Sequence, residues 1–241
     1  MAIMHGKASK YLIRLDKMYR VAAYTLLVFT IGSALFGFLK NFKINTTIVG
    51  LIVLIILWAP LFWLVLRMYK KYLSESDKYH RGRKGEGAIW YELQKLNNQY
   101  HVYQDAVIKG NQWNIDFIVL GPKGLFVVEV KSHTGNITYA NNTLLLNGKP
   151  FEKDFLSQIK KQETGLSKFL KSQLGKDIKI QPVIVFSHKW ATMHFGMNPV
   201  SNSGVYVVQK RLLNKLINSA QQVFSLNDIS KIGEQLEKLV V

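Results

Sequence analysis

Two apolar, strand-forming runs, residues 115–120 and 125–131, are joined by a Gly-Pro-Lys-Gly turn, and each carries an acid where a core residue is expected. The acids are Asp116 and Glu129, and Lys131 follows two places after the second. If residues 121–124 form the turn, Leu120 faces Leu125, and the same register sets Asp116 opposite Glu129 and Asn114 opposite Lys131. A two-residue loop at Pro122-Lys123 gives the same pairing. Side chains alternate along a strand, so Asn114, Asp116, Glu129 and Lys131 project from one face. Directly opposed carboxylates, with Cβ atoms about 5 Å apart, destabilise a sheet. A hard divalent cation offsets that repulsion, because Mg²⁺ takes oxygen ligands and is commonly held by one or two carboxylates. Lys131 is then close enough to hold a water or a phosphate oxygen. These ingredients suit metal-assisted phosphodiester hydrolysis, in which the cation activates water and polarises phosphorus while the ammonium stabilises developing charge. The competing reading is a solvated hairpin face with Lys131 as a plain ion-pair partner. Against it, Ile118, Leu120, Leu125 and Val127 share the face, so the acids end a core-facing stripe.

The elements that must position these residues are legible in outline. Residues 88–97 read as a helix, with Ile89, Trp90, Leu93 and Leu96 at helical spacing. Glu86 falls at its start, four residues before Trp90 and seven before Leu93, hence on the apolar face. There it either joins the acids or simply complements the helix dipole. Strand-like runs follow at 102–108, 137–139 and 144–146 besides the two above, and then a long amphipathic helix at 155–174. Strands at 182–187 and 205–208 and helices at 211–220 and 226–239 finish the chain, an α/β order. On the long helix Lys153, Lys160, Lys168 and Lys171 lie opposite Phe155, Ile159, Leu166 and Leu170, either as a solvated face or as phosphate contacts. His188 and His194 lack the further ligands a zinc site needs. Trp113, Tyr139 and Trp190 either stack on unpaired bases or pack at the core or its rim.

Residues 1–81 have a different character. From Val21 to Leu39 there are nineteen residues without a charge, and from Thr47 to Leu66 twenty more. Each run matches the roughly 20 apolar residues a helix needs to cross a bilayer. Lys7, Lys10, Arg14, Lys17 and Arg20 precede the first run, a basic cluster from Arg67 to Lys84 follows the second, and only Lys40 and Lys43 lie between. Basic flanks of this kind keep both termini in the cytoplasm, with a helical hairpin dipping into the inner (plasma) membrane. The expected organisation is a basic N-terminus (1–20), a transmembrane hairpin (21–68, spans about 21–39 and 47–66), a juxtamembrane linker (69–81) and a cytoplasmic domain (82–241). Of the net charge of +17, residues 1–81 carry +9 and residues 82–241 carry +8. Topology and anionic lipid account for the first excess. The second suits a polyanionic partner such as nucleic acid. The chain has no cysteine, which rules out disulfides, thiolate metal sites and a cysteine nucleophile.

The helix GEGAIWYEL, the hairpin NIDFIVLGPKGLFVVEVK with a following glycine, and the run PVIVFS together resemble the nuclease-related domain (NERD), a branch of the PD-(D/E)xK nucleases. The resemblance covers roughly residues 82–209. It implies a restriction-endonuclease-like mixed sheet flanked by helices. It also implies that Asp116 and Glu129 bind Mg²⁺ (or Mn²⁺), that the carbonyl of Val130 assists, that Lys131 positions the attacking water and that Glu86 completes the acidic cluster. The family carries a glutamine on the helix after the sheet, for which Gln158 is the best match and Gln162 the alternative. The Asn-Pro that often opens that helix is absent here, where Pro150 is followed by Phe151-Glu152-Lys153.

The resulting expectation is a membrane-anchored, Mg²⁺-dependent nuclease on the cytoplasmic side, with DNA favoured over RNA. Asp116, Glu129, Lys131 and Glu86 carry the chemistry, and Asn114, Gln158, Gln162 and Lys160 support it. The lipid bilayer is the second partner, and the anchor offers a route to homo-oligomers. The rival readings are a non-catalytic module that binds nucleic acid or protein at the membrane, and a tethered scaffold whose acids hold a structural cation.

Overall fold

The computed structural model describes residues 1–6, 10–41, 48–108, 114–200 and 203–240, and within the first two helices the side chains of 10–13, 34–36, 38–41, 48–58 and 61 are not described. The chain divides into two compact units, Lys10–Arg81 and a second made of Met1–Ser9 with Gly82–Val241.

The second unit is a mixed α/β fold. Its elements are β1 (Ile3–His5), β2 (His101–Val107), β3 (Asn114–Gly121), β4 (Gly124–Lys131), β5 (Gly135–Ala140), β6 (Thr143–Leu146), β7 (Lys149–Pro150), β8 (Ile180–Phe186), β9 (Ala191–Thr192), β10 (Pro199–Val200) and β11 (Val205–Gln209). The helices beside them are α3 (Phe155–Leu174), α4 (Lys210–Ser219) and α5 (Leu226–Leu236), with a final 3₁₀ turn at Glu237–Leu239. Seven strands form one mixed sheet in the order β1-β2-β3-β4-β8-β11-β10, and β7-β6-β5-β9 form a smaller one. The β3–β4 hairpin is antiparallel with Leu120 opposite Leu125 and Gly121 opposite Gly124, whereas β4 and β8 run parallel, joined through α3.

Alternation along the strands builds two cores. On one face Ile118, Leu120, Leu125 and Val127 meet Ile159, Leu166 and Leu170 of α3 and Ile232 and Leu236 of α5. On the other, Phe117, Val119, Phe126 and Val128 meet Ile89 and Leu93, and Leu213 and Ile217 of α4. The helix α3 starts where Asp154 caps it, accepting from the Ser157 N–H at 3.1 Å. It ends where Gly175 adopts a left-handed φ of 68°. The capping that the missing Asn-Pro would have marked is therefore supplied by Asp154.

Two expectations about the first part of the chain are corrected. The helix expected at 88–97 is the end of a 46-residue helix, α2 (Ile48–Leu93), which takes in the whole basic stretch read as a linker. The N-terminal residues are not merely a basic lead-in to a span, since β1 adds a parallel edge strand to β2 with Ile3 opposite His101 and His5 opposite Tyr103. The Ile3 N–H donates to the Tyr100 carbonyl at 2.8 Å.

In the first unit α1 (Lys10–Asn41) and the first part of α2 are held together by a buried polar clasp. Ser76 Oγ donates to Asp16 Oδ1 at 2.6 Å, Arg20 Nε donates to the same oxygen at 2.9 Å, and the Tyr19 and Tyr79 rings stack with centroids 5.5 Å apart. Among the described residues no helix is long and apolar enough to cross a membrane. Of the spans expected at 21–39 and 47–66, part of the first and most of the second fall outside the described side chains, which leave out residues 42–47 and the side chains of 34–36, 38–41, 48–58 and 61.

Candidate active site

Asp116 lies near the start of β3, and Glu129 and Lys131 close β4. The ladder between them follows the expected register from Gly121–Gly124 to Phe117–Val128 and stops one pair short of the acids. Beyond it the Asp116 Oδ2 accepts the Val130 N–H at 2.7 Å. A carboxylate thus replaces the next rung, and Val130 enters the arrangement through its N–H.

Glu129 is buried, and each of its oxygens receives a donor. Oε1 accepts from Lys131 Nζ at 2.6 Å and from Gln158 Nε2 at 2.6 Å, and Oε2 accepts from Gln162 Nε2 at 2.7 Å. The ion pair foreseen for a solvated hairpin does form, but it is shut away from water. Lys131 Nζ also donates to Gln158 Oε1 at 3.2 Å and sits 4.2 Å from the centroid of the Phe155 ring, a cation–π seat that fixes the ammonium. The two glutamines offered as alternatives therefore both engage. Phe155, Gln158 and Gln162 stand at i, i+3 and i+7, one face of α3, which is why a single helix brings all three to β4.

Gln162 is fully buried and its orientation is determined by its neighbours. Its amide nitrogen faces two acceptors, the Asn114 carbonyl at 3.1 Å and Glu129 Oε2 at 2.7 Å, so the nitrogen must lie on that side. Among the described residues its Oε1 has no hydrogen-bond partner. Asn114 thus contributes its backbone, while its side chain is exposed. Lys160 is not gathered into the cluster but pairs with Glu163 at 2.7 Å.

Glu86 reaches the acids from α2, and it lies well inside that helix rather than at its N-terminus, so the dipole account of it does not hold. The neighbouring Gly85 explains the approach. A Cβ at Gly85 would lie 2.7 Å from Ser187 Oγ and 3.4 Å from Ser132 Cβ, so glycine lets the helix pass close to the ends of β4 and β8 without displacing the Ser187 hydroxyl. Burial first, then the charges of Asp105 and Glu129, push the Glu86 carboxyl from its ordinary 4.5 up to about 8. Burial, then Glu129 and Glu86, hold the Asp116 carboxyl well above the usual carboxylate range against the lowering effect of the Val130 N–H.

Asp105 is the acid that sequence reasoning missed. It lies in β2 between Gln104 and Ala106, which pair with Phe117 and Ile115, so the register carries it toward Asp116. Its φ is 54°, a left-handed conformation that is costly in mid-strand. The signal was available, because residues 102–108 are another strand-forming run interrupted by an acid.

Asp116 and Glu129 are hard oxygen donors of the kind Mg²⁺ takes when it keeps most of its waters. The crowding of Asp116 with Glu86 and Glu129, which raises the Asp116 carboxyl, and the Gln162 Oε1 that has no hydrogen-bond partner among the described residues fit a site for a cation with a polar second layer. Among the described residues no three His, Asp or Glu side chains form a ready-made metal set. The donor set therefore fits the two-carboxylate mode and not a closed cage.

A mixed sheet flanked by helices carries an aspartate on one strand, Glu-x-Lys closing the next and glutamines on the following helix. Residues 81–187 match the nuclease-related domain (NERD), and the match suggests a nuclease-related function. No curated protein and no solved structure matches the chain.

Proposed function

We propose that this protein is a membrane-anchored, Mg²⁺-dependent nuclease with a restriction-endonuclease-like fold. It hydrolyses phosphodiester bonds of nucleic acid, DNA in preference to RNA, at the cytoplasmic face of the membrane. The observation that carries the reading is the buried Lys131–Glu129 pair, 2.6 Å apart and braced by Gln158 and Gln162 beside Asp116. A solvated surface pair has no reason to be enclosed in this way, since exposed ion pairs contribute little.

Asp116 and Glu129, with Val130 and Glu86 beside them, would hold the cation, which supplies Lewis acidity and charge neutralisation at the phosphoryl group. Lys131 presents an ammonium held by Glu129, Gln158 and the Phe155 ring, and it orients the attacking water and stabilises the charge that develops on the phosphate oxygens. Gln158 and Gln162 keep Glu129 in one rotamer, so the site is organised before substrate arrives.

The membrane reading is supported by the hairpin unit. Val28, Phe29 and Trp63 are 69%, 75% and 63% exposed, large apolar side chains that water does not favour.

The test uses the full chain in mild detergent with linear and circular DNA and with RNA, in Mg²⁺, in Mn²⁺ and in chelator, beside Lys131→Met and Asp116→Asn. Metal-dependent cleavage that both variants lose is the expected result. Wild-type protein that binds nucleic acid in a salt-sensitive way without cutting it would replace the nuclease with the non-catalytic binding module.

A further inference from the structure

Of the three aromatic residues that could meet bases, Trp113 lies outside the described residues and Tyr139 packs against the core. Trp190 is different, with a side chain 65% exposed on a backbone held from several sides. Its N–H donates to His188 Nδ1 at 3.2 Å and its carbonyl accepts the Gly135 N–H at 3.0 Å. The next residue, Ala191, is fully buried, donates to the His188 carbonyl at 3.1 Å and accepts the Gln209 side-chain amide. Single exposed apolar residues are ordinary on protein surfaces. A large aromatic ring on so constrained a loop is a preformed contact. Lys189 adds the second component, with Nζ 4.9 Å from the centroid of the Trp190 ring.

The position of this pair matters as much as its exposure. The loop leaves β8 directly after Phe186, which is opposite Lys131 in the sheet, and the Ser187 N–H donates to the Lys131 carbonyl at 2.9 Å. Gly135, which holds Trp190, is four residues past Lys131, so the two lie within about 14 Å along even a fully extended chain. That is the rise of roughly four stacked nucleotides at 3.4 Å each. The backbone that holds Trp190 is thus anchored within a few nucleotides' length of the Lys131 backbone.

We propose that Lys189 and Trp190 form a base-stacking platform that selects nucleic acid with unpaired bases near the cleavage point. This specificity rests on the nuclease reading. The ring takes the flat face of a base, which a continuous duplex conceals and a single strand, frayed end or flipped nucleotide exposes. The ammonium neutralises a neighbouring phosphate. The sequence preference is weak, because every base offers a π-face.

The experiment measures binding by the full chain in detergent and chelator, so that no chemistry intervenes. The probes are a fluorescent oligothymidylate, the same strand in duplex, and a version with abasic sites. Trp190→Ala is expected to weaken single-strand binding roughly 5- to 100-fold, the scale of one base–aromatic stack, while Trp190→Phe keeps most of the affinity and the duplex is unaffected. On the abasic strand Trp190→Ala and wild type should bind alike. A Trp190→Ala penalty of equal size on the abasic strand or the duplex overturns the platform, as does an unchanged single-strand affinity. Wild type that binds neither probe defeats the nuclease reading itself, whereas wild type that binds both without regard to Trp190 defeats only this inference.

Discussion

Replacing Gln162 with leucine tests the site's architecture most directly. The side chain is fully buried and makes two bonds, to Glu129 Oε2 at 2.7 Å and to the Asn114 carbonyl at 3.1 Å, while its own Oε1 has no partner among the described residues. Losing a hydrogen bond to a buried carboxylate costs about 1.5–3 kcal/mol, and the bond to a neutral carbonyl adds about 1. Removing the unpartnered oxygen returns about 1–3 kcal/mol of desolvation. The terms nearly oppose one another and leave a net loss of about 1 kcal/mol, far below the 2–5 kcal/mol typical of emptying an apolar core position. The discriminating quantity is the coupling to Glu129. In a Glu129→Gln background the charge-assisted part of the bond is gone, so Gln162→Leu should cost about 1 kcal/mol less there than in the wild type. Urea unfolding of the four proteins in chelator, compared at matched detergent, measures it. A coupling indistinguishable from zero would mean that Gln162 does not hold Glu129, and the argument for a braced carboxylate would fail. In Mg²⁺, cleavage by Gln162→Leu should fall about tenfold, because a carboxylate released from its rotamer loses preorganisation worth about 1.4 kcal/mol.

Glu86 and Asp154 give two further tests. Glu86 ionises at its ordinary 4.5 in the unfolded chain and only near 8 in the folded one, so the unfolded state sheds its proton first and metal-free stability falls as pH rises between those values. Glu86→Gln stays neutral and should be more stable than wild type by about 1–2 kcal/mol at pH 7, a figure discounted for partial exposure, with the advantage vanishing below pH 4.5; a pH-independent difference in thermal scans with chelator would refute it. Asp154→Ala removes the cap of α3 and should cost about 1 kcal/mol by thermal unfolding. Because Gln158 lies only one turn further along, cleavage should fall by more than tenfold, and activity equal to wild type would show that this turn does not need its cap.

The extent to which the structure could be read in advance follows the range of the interactions concerned. The β3–β4 hairpin and α3 are local objects: a Gly-Pro-Lys-Gly turn sets one register, and an amphipathic repeat ending at Gly175 delimits one helix. The strand β1 depends wholly on a partner about a hundred residues away, and three residues of edge strand carry no pattern of their own. The length of α2 escaped for another reason. Residues 82–87 contain three glycines, which on propensity alone should interrupt a helix, yet Gly85 serves the close approach to Ser132 and Ser187. Tertiary packing overrode local preference, and in doing so it brought Glu86 to the site.

The donors around the acids are unevenly shared. Glu129 has an ammonium and two amides on its oxygens, and Asp116 has one backbone N–H. The carboxyls held above their usual range are Asp116 and Glu86, with Asp105 and Glu129 among the charges that raise them. The like-charge crowding is therefore relieved at Glu129 by Lys131, while Asp116 and Glu86 are held above their usual range and are the carboxyls that a bound cation would draw into the charged form. This division suits a site in which a cation and an ammonium must act on one phosphate from different directions. If Lys131 had instead neutralised Asp116, cation and lysine would compete for one carboxylate. Because it pairs with Glu129, which has a second oxygen held separately by Gln162, the ammonium keeps its place while the other acids remain available.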